Sequence, residues 1–193
     1  LLSDVTFTVN KGDKIALLSR DPLAVIIFFN IITAETIADS GSYEWGSTVT
    51  HAYLPQENNE FFKGDDNLMD WLRQYVPSHV TDVDEPFLRG FLGKMLFSGD
   101  DVMKKTNVLS GGEKVRCMLS RMMLQSPNVI LLDQPTNHLD LESIQSFNEQ
   151  CTDYKGIILL TSHDHTFMET VANRVIELTP KGIIDRLTTF DEY

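Results

Sequence analysis

Three short runs of uninterrupted apolar residues frame this chain: Ile15-Ala16-Leu17-Leu18, Val129-Ile130-Leu131-Leu132 and Ile157-Ile158-Leu159-Leu160. Each is too short for a helix and lacks a polar face, the pattern of a strand buried on both sides of a parallel sheet. Val175 to Leu178, and His51-Ala52-Tyr53-Leu54 ahead of Pro55 and Gln56, read as further strands. Elsewhere the apolar spacing lengthens to that of helices. Leu23 to Thr33 reads as a core helix. From Glu113 to Leu124, Val115, Met118, Leu119, Met122 and Met123 share one face, with Lys114, Arg116 and Arg121 on the other. Two amphipathic stripes, Leu68-Trp71-Leu72-Tyr75 and Phe87-Leu88-Phe91-Leu92-Met95-Leu96, predict a helical lobe from about 61 to 105. Leu141 to Cys151 and Thr166 to Ala172 are further helices. Leu2 to Val9 alternates weakly (Val5, Phe7, Val9) and reads as an antiparallel strand, and Gly182 to Phe190 as a closing hairpin or strand. The order predicts an α/β fold: a mostly parallel core sheet with helices on both faces, an antiparallel β part and a helical lobe.

Composition narrows the class. At 193 residues the chain fits one domain with a substantial core. The longest apolar run, Leu23 to Ile32, is interrupted by Asn30 and falls far short of the roughly 20 residues a membrane span needs, so no membrane insertion is expected. Two cysteines, Cys117 and Cys151, suit reduced thiols in a cytoplasmic protein better than a disulfide scaffold. A formal net charge of −12 argues against a surface that grips nucleic acid directly.

The densest chemistry lies between Leu109 and Asp140. Ser110-Gly111-Gly112 is a turn with little side chain, leading into a helix whose first N–H groups have no partner. Such a helix start is an anion site, and Ser110 can cap it or donate to a phosphate. The strand Val129 to Leu132 delivers Asp133 at its carboxyl end, where open α/β sheets bind ligands. An SGG turn alone is commonplace, as is an apolar strand ending in Asp. Their joint occurrence at this spacing, followed by Pro135-Thr136-Asn137-His138-Leu139-Asp140-Leu141-Glu142-Ser143, is far more specific.

This arrangement resembles the nucleotide-binding domain of the ABC ATPases, which have a P-loop NTPase-like core. Leu109 to Glu113 matches the LSGGE signature, Val129 to Asp133 the Walker B strand, and the stretch around Asp140 the D-loop. The run Pro135 to Ser143 resembles the ABC-F branch, whose members are tandem ATPases acting on the ribosome. The resemblance implies ATP and Mg2+ as cofactors and assigns roles by position. Ser110, Gly111, Gly112, Glu113 and Asp140 would face the nucleotide of a partner ABC domain. Asp133 and Gln56 would meet magnesium, and His163 the γ-phosphate. Asp39-Ser40-Gly41 with Tyr43-Glu44-Trp45-Gly46 resembles the β-hairpin of such domains. The adenine-stacking strand of the family lies upstream of Leu1, so the chain is expected to be one ABC domain, 1–193, within a longer polypeptide, the second of a tandem pair.

One loop and one single residue depart from the family. The phosphate loop should follow Leu18, yet Ser19, Arg20, Asp21, Pro22, Leu23 and Ala24 contain no glycine; Val25 stands where the lysine belongs, and Ile26 and Ile27 where Ser/Thr belong. Proline removes an N–H and branched side chains obstruct a close backbone approach. The catalytic carboxylate position holds Gln134, a neutral amide that cannot take a proton. An ATPase that works only as part of a pair is therefore expected, the isolated chain being weak or inactive. Its signature would complete the partner's site, and any ribosomal contact would come through segments outside this chain. Two other classes compete: the ATP-binding subunit of a membrane transporter, and a scaffold without catalysis. Histidines 138, 163 and 165 have no spacing that suggests a metal site, and His79 reads as a loop residue.

Overall fold

The computed structural model describes residues 1–193. Six strands form one sheet: β1 (Lys14–Ser19), β2 (His51–Leu54), β3 (Val129–Asp133), β4 (Ile157–Thr161), β5 (Arg174–Thr179) and β6 (Gly182–Arg186). Their order is β2-β3-β4-β1-β5-β6, parallel throughout except that β6 runs antiparallel to β5. The three apolar runs lie side by side, with Leu131 opposite Leu159 and Ile15 also opposite Leu159.

Period-two alternation divides each strand between the two faces of the sheet. Ile15, Leu17, Val129, Leu131, Leu159, Ile176 and Leu178 face α1 (Pro22–Ile32), whose Val25, Phe28 and Phe29 complete a cluster of ten buried residues. Ala16, Leu132, Ile158, Leu160 and Val175 face the other way, towards α4 (Gly111–Gln125), α5 (Leu141–Asp153) and α6 (His165–Val171). That second cluster holds 29 buried residues and runs without a break into the helical lobe. There α2 (Leu68–Arg73) and α3 (Glu85–Lys94) contribute Leu68, Trp71, Leu72, Leu88 and Leu92. Seven buried residues of α4 join sheet to lobe. No helix is long and apolar enough to cross a membrane.

The fold class is the expected one, but the antiparallel part lies elsewhere than the alternation suggested. Residues 1–13 form no strand, and neither does Asp39–Gly46; the only antiparallel strand pair is β5–β6. Val5, Phe7 and Val9 are half-buried against the ten-residue cluster, so their alternation records side-chain burial on a surface that offers no ladder. The Thr8 carbonyl instead accepts from Arg174 Nη1 at 2.9 Å. In the second segment Gly41 sits at φ +86°, among serines and an aspartate that favour turns. The closing strand likewise stops at Arg186 rather than Phe190.

Arg174, at the start of β5, ties these edges together. Its guanidinium donates to both Asp185 oxygens (2.9 and 2.6 Å), and Nη1 reaches Asp13 Oδ2 at 2.6 Å. Hydrogen bonding from Arg174 holds the Asp185 carboxyl below the usual carboxylate range, against the upward pull of burial.

Candidate functional site

Strands β1, β3 and β4 end together, so Ser19, Asp133 and Thr161 share the carboxyl edge of the sheet. Asp133 is buried, and its Oδ1 accepts from Gln56 Nε2 at 3.1 Å and from Thr161 Oγ1 at 3.0 Å. Gln56, just past β2, is thus brought to Asp133. Gln134 follows in the left-handed region at φ +51°, a conformation that costs a non-glycine residue on the order of 1 kcal/mol. Its N–H is held by Thr161 Oγ1 at 3.0 Å, and its side-chain Oε1 is buried with no hydrogen-bond partner. That orphan acceptor would suit a donor such as water; as an amide it would hold the donor without removing a proton. His163 is exposed on the turn after β4, and the neighbouring Ser162 Oγ lies 2.8 Å from Thr136 Oγ1.

Where a phosphate loop would sit, the structure has a helix. Only Arg20 and Asp21 separate β1 from α1. Asp21 caps the helix, its Oδ1 accepting from Leu23 N at 3.0 Å, and Pro22 stands at the first helical position, where its missing N–H costs nothing. A phosphate cradle needs a concave backbone with inward N–H groups, and a helical turn has no such hollow. Val25 points into the core at 6% exposure, packed with the ten-residue cluster, while Leu23 is half-exposed. Ile26 and Ile27 are partly buried on the same helix and offer no hydroxyl. These residues do not fit a triphosphate. Asp133 and Gln56 bond to each other, and no group of three or more His, Cys, Asp or Glu side chains converges to hold a metal.

The opposite holds at the start of α4. Ser110 Oγ accepts from Glu113 N at 3.3 Å and Glu113 Oε2 accepts from Ser110 N at 2.9 Å, a reciprocal capping box. Ser110 is therefore a cap, with its hydroxyl hydrogen still free to donate. Burial alone would raise the Glu113 carboxyl, but donation from the Ser110 N–H and from Lys104 Nζ at 2.9 Å holds it below the usual range. The N–H groups of Gly111 and Gly112, in the first turn, have no helical acceptor. They open onto a polar cavity of about 340 Å³ that Arg116, His138, Asp140 and Ser143 also line. Asp140 caps α5, its Oδ1 accepting from Ser143 N at 2.8 Å, and those bonds from Ser143 keep its carboxyl low. The helix-start N–H groups and Arg116 would favour an anion here, against the carboxylates of Glu113 and Asp140 on the same rim, which already accept hydrogen bonds at the two caps.

The structure therefore gathers the expected residues into two groups. Gln56, Asp133, Gln134 and His163 lie at the sheet edge; Ser110, Gly111, Gly112, Glu113 and Asp140 surround the polar hollow. Three contributors escaped the sequence reading. Thr161 holds both Asp133 and Gln134; its one signal was its place at the end of an apolar strand. Arg116 stands three residues past Glu113, where one helical turn carries it to the same rim. His138 lies in the segment before Asp140, and its carbonyl crosses directly over Gly112.

Comparison with known proteins gives the family and the fold. A family model described as ABC transporter matches residues 2–137. The uncharacterized ABC transporter ATP-binding protein YkpA of Bacillus subtilis (strain 168) is 56% identical over the whole chain, which spans 35% of that relative's length. The dimeric structure of the ATP-binding cassette MJ0796 bound to ADP and Pi superposes with a TM-score of 0.73 at 16% identity, covering 96% of this chain and 90% of that one. The archaeal ribosome recycling factor aABCE1, solved in complex with the ribosomal stalk protein aP1, gives 0.74 at 21% identity over 92% of this chain and 35% of that one. The chain belongs to the ABC transporter family and is an ATP-binding cassette domain.

Proposed function

We propose that residues 1–193 form one ABC domain of a longer, tandem ABC-F-type protein, with a helical subdomain at about 61–105, and that it works by completing a partner domain's ATP site. One observation carries this reading. The capped start of α4 keeps its free N–H groups over a polar hollow, whereas the place of this domain's own phosphate loop is filled by the first turn of α1. ATP with Mg2+ would then be held by the partner, with Ser110, Gly111 and Gly112 reaching its γ-phosphate and Asp140 lining the same hollow. The dimeric state of the MJ0796 cassette supports pairing. The Pro135 to Ser143 run supports the ABC-F branch and a cytoplasmic protein acting in translation, and for translation alone the recycling-factor likeness points the same way.

Steady-state hydrolysis by the full-length protein tests the reading. Ser110→Arg would remove the cap and drive a guanidinium into the anion hollow, and ATPase activity should fall to background. Turnover unchanged from the parent would make the signature a structural remnant and favour a scaffold.

The isolated chain should bind ATP poorly. A charged hydrogen bond to phosphate is worth roughly 1.5–3 kcal/mol, so losing the loop lysine alone weakens binding by about tenfold or more. Val25→Lys should not repair this, since it places an ammonium among Ile15, Phe29 and Val129 and costs stability without rebuilding the loop. Calorimetry on the chain and on Val25→Lys checks both points; micromolar ATP binding by either would refute them.

A further inference from the structure

The one fixed cation lining the polar hollow is Arg116, and the helical lobe holds it in place. Its Nη1 donates to the Met95 carbonyl at 3.1 Å, and its guanidinium carbon stands 4.6 Å above the Phe97 ring. Met95 and Phe97 are buried just past the end of α3, on either side of Leu96, whose backbone is left-handed at φ +65°. From the other wall, Ser146 Oγ of α5 donates to the Lys94 carbonyl at 2.7 Å. The last turn of α3 is thus tied to both helices that flank the hollow. Arg116 Nε and Nη2 have no partner within the chain, and no carboxylate lies within ion-pair distance of the guanidinium.

Charge makes that placement decisive. Two carboxylates, Glu113 and Asp140, also line the hollow. Glu113 is offset by Lys104 Nζ at 2.9 Å, but Asp140 bonds to the Ser143 N–H and retains its charge. Without Arg116 the rim would be net negative, and the modest dipole of the helix start would have to work against that charge. With Arg116 the charges balance. Two guanidinium nitrogens and the free N–H groups of Gly111 and Gly112 then remain for an anion. We propose that Arg116 decides whether the hollow accepts a phosphate of the partner domain's ATP, and that the end of α3 positions it. The proposal rests on the trans-site reading above. A guanidinium held beforehand spares the entropy of ordering a long side chain when the phosphate arrives. The helical lobe thereby sets the affinity of a hollow that none of its own side chains line.

Steady-state hydrolysis by the full-length protein, followed against the concentration of ATP with Mg2+, tests it. Arg116→Gln keeps a side-chain N–H donor and loses the charge. It should raise the ATP concentration for half-maximal turnover about tenfold, the scale of one charge-assisted hydrogen bond. Arg116→Lys keeps the charge without the planar fork, and should recover part of that loss. Phe97→Leu leaves the guanidinium and removes the ring beneath it. It should raise the same concentration several-fold in the parent and add nothing in the Arg116→Gln background. A role in packing alone predicts the reverse. Gln and Lys at position 116 would then act alike, and Phe97→Leu would add its full effect to Arg116→Gln. Either result overturns the proposal, as does an Arg116→Gln curve that superposes on the parent's. Ser110→Arg separates this role from the reading beneath it. Full turnover in Ser110→Arg sinks the trans-site reading, whereas loss there beside an unaffected Arg116→Gln sinks only the role of Arg116.

Discussion

Replacing Gly112 with alanine should abolish ATP hydrolysis by the full-length protein, whereas the same change one residue earlier should be tolerated. A Cβ on Gly112 would sit 2.4 Å from the carbonyl oxygen of His138, inside any real contact distance, and that atom is backbone. A Cβ on Gly111 would meet only the His138 ring at 3.8 Å, an ordinary contact. Gly112→Ala must therefore push the start of α4 away from the segment that leads to Asp140, and those two elements are the walls of the anion hollow. Overpacking of this kind costs about 1–3 kcal/mol. The loss of stability is modest beside the functional loss, because a displacement near 1 Å misplaces both N–H donors at once. Paired measurements of turnover and chemical denaturation on both variants decide the matter. Equal activity in Gly111→Ala and Gly112→Ala would mean that the closeness of α4 to the His138 backbone is irrelevant to function.

The largest loss of stability is expected at Arg174. In Arg174→Met the carboxylates of Asp13 and Asp185 lose their shared cation, and the Thr8 carbonyl loses a donor. Removing one partner of a buried ion pair costs about 3–5 kcal/mol, and the partial exposure of Asp185 places this case at the lower end. The pH dependence has a definite sign. The folded carboxyl of Asp185 lies below its unfolded value of about 3.9, so its contribution is complete above that pH and disappears as pH falls through the folded value. The gap between parent and Arg174→Met should therefore be full at pH 7 and narrow progressively below about pH 4. Denaturation midpoints at pH 7 and pH 3 measure it. A gap under about 1 kcal/mol at neutral pH, or one that does not narrow in acid, would remove this cluster from the account of stability.

The sheet was legible because its strands are extreme in composition. Val129 to Leu132 and Ile157 to Leu160 have no polar residue, and only a doubly covered parallel strand tolerates that. The start of α4 was equally open to reading, since capping box and glycines declare themselves within four residues. Val5, Phe7 and Val9 misled because alternation reports which side chains are buried, not whether a neighbouring strand exists to pair with. Thr161 and His138 were invisible for another reason. Each acts through an atom brought close by the fold, the Thr161 hydroxyl on Asp133 and the His138 carbonyl over Gly112, and neither contact leaves a local pattern. That α1 begins at Pro22, and so fills the loop's place, could have been read from the Asp-Pro pair, an N-cap followed by a first-turn proline.

The division of side chains between the two faces of the sheet also bears on how such a domain can change over time. Helix α1 rests on the ten-residue cluster, while α4 and its hollow rest on the cluster of 29, and the strands stand between them as a partition. Substitutions that accumulate in α1 are absorbed on their own side. None of the ten residues of that cluster belongs to α4, which carries Ser110 and Gly112 at its start. A layout of this kind lets the packing beneath α1 change without a direct contact to the packing beneath α4, the two meeting only through the strands they share.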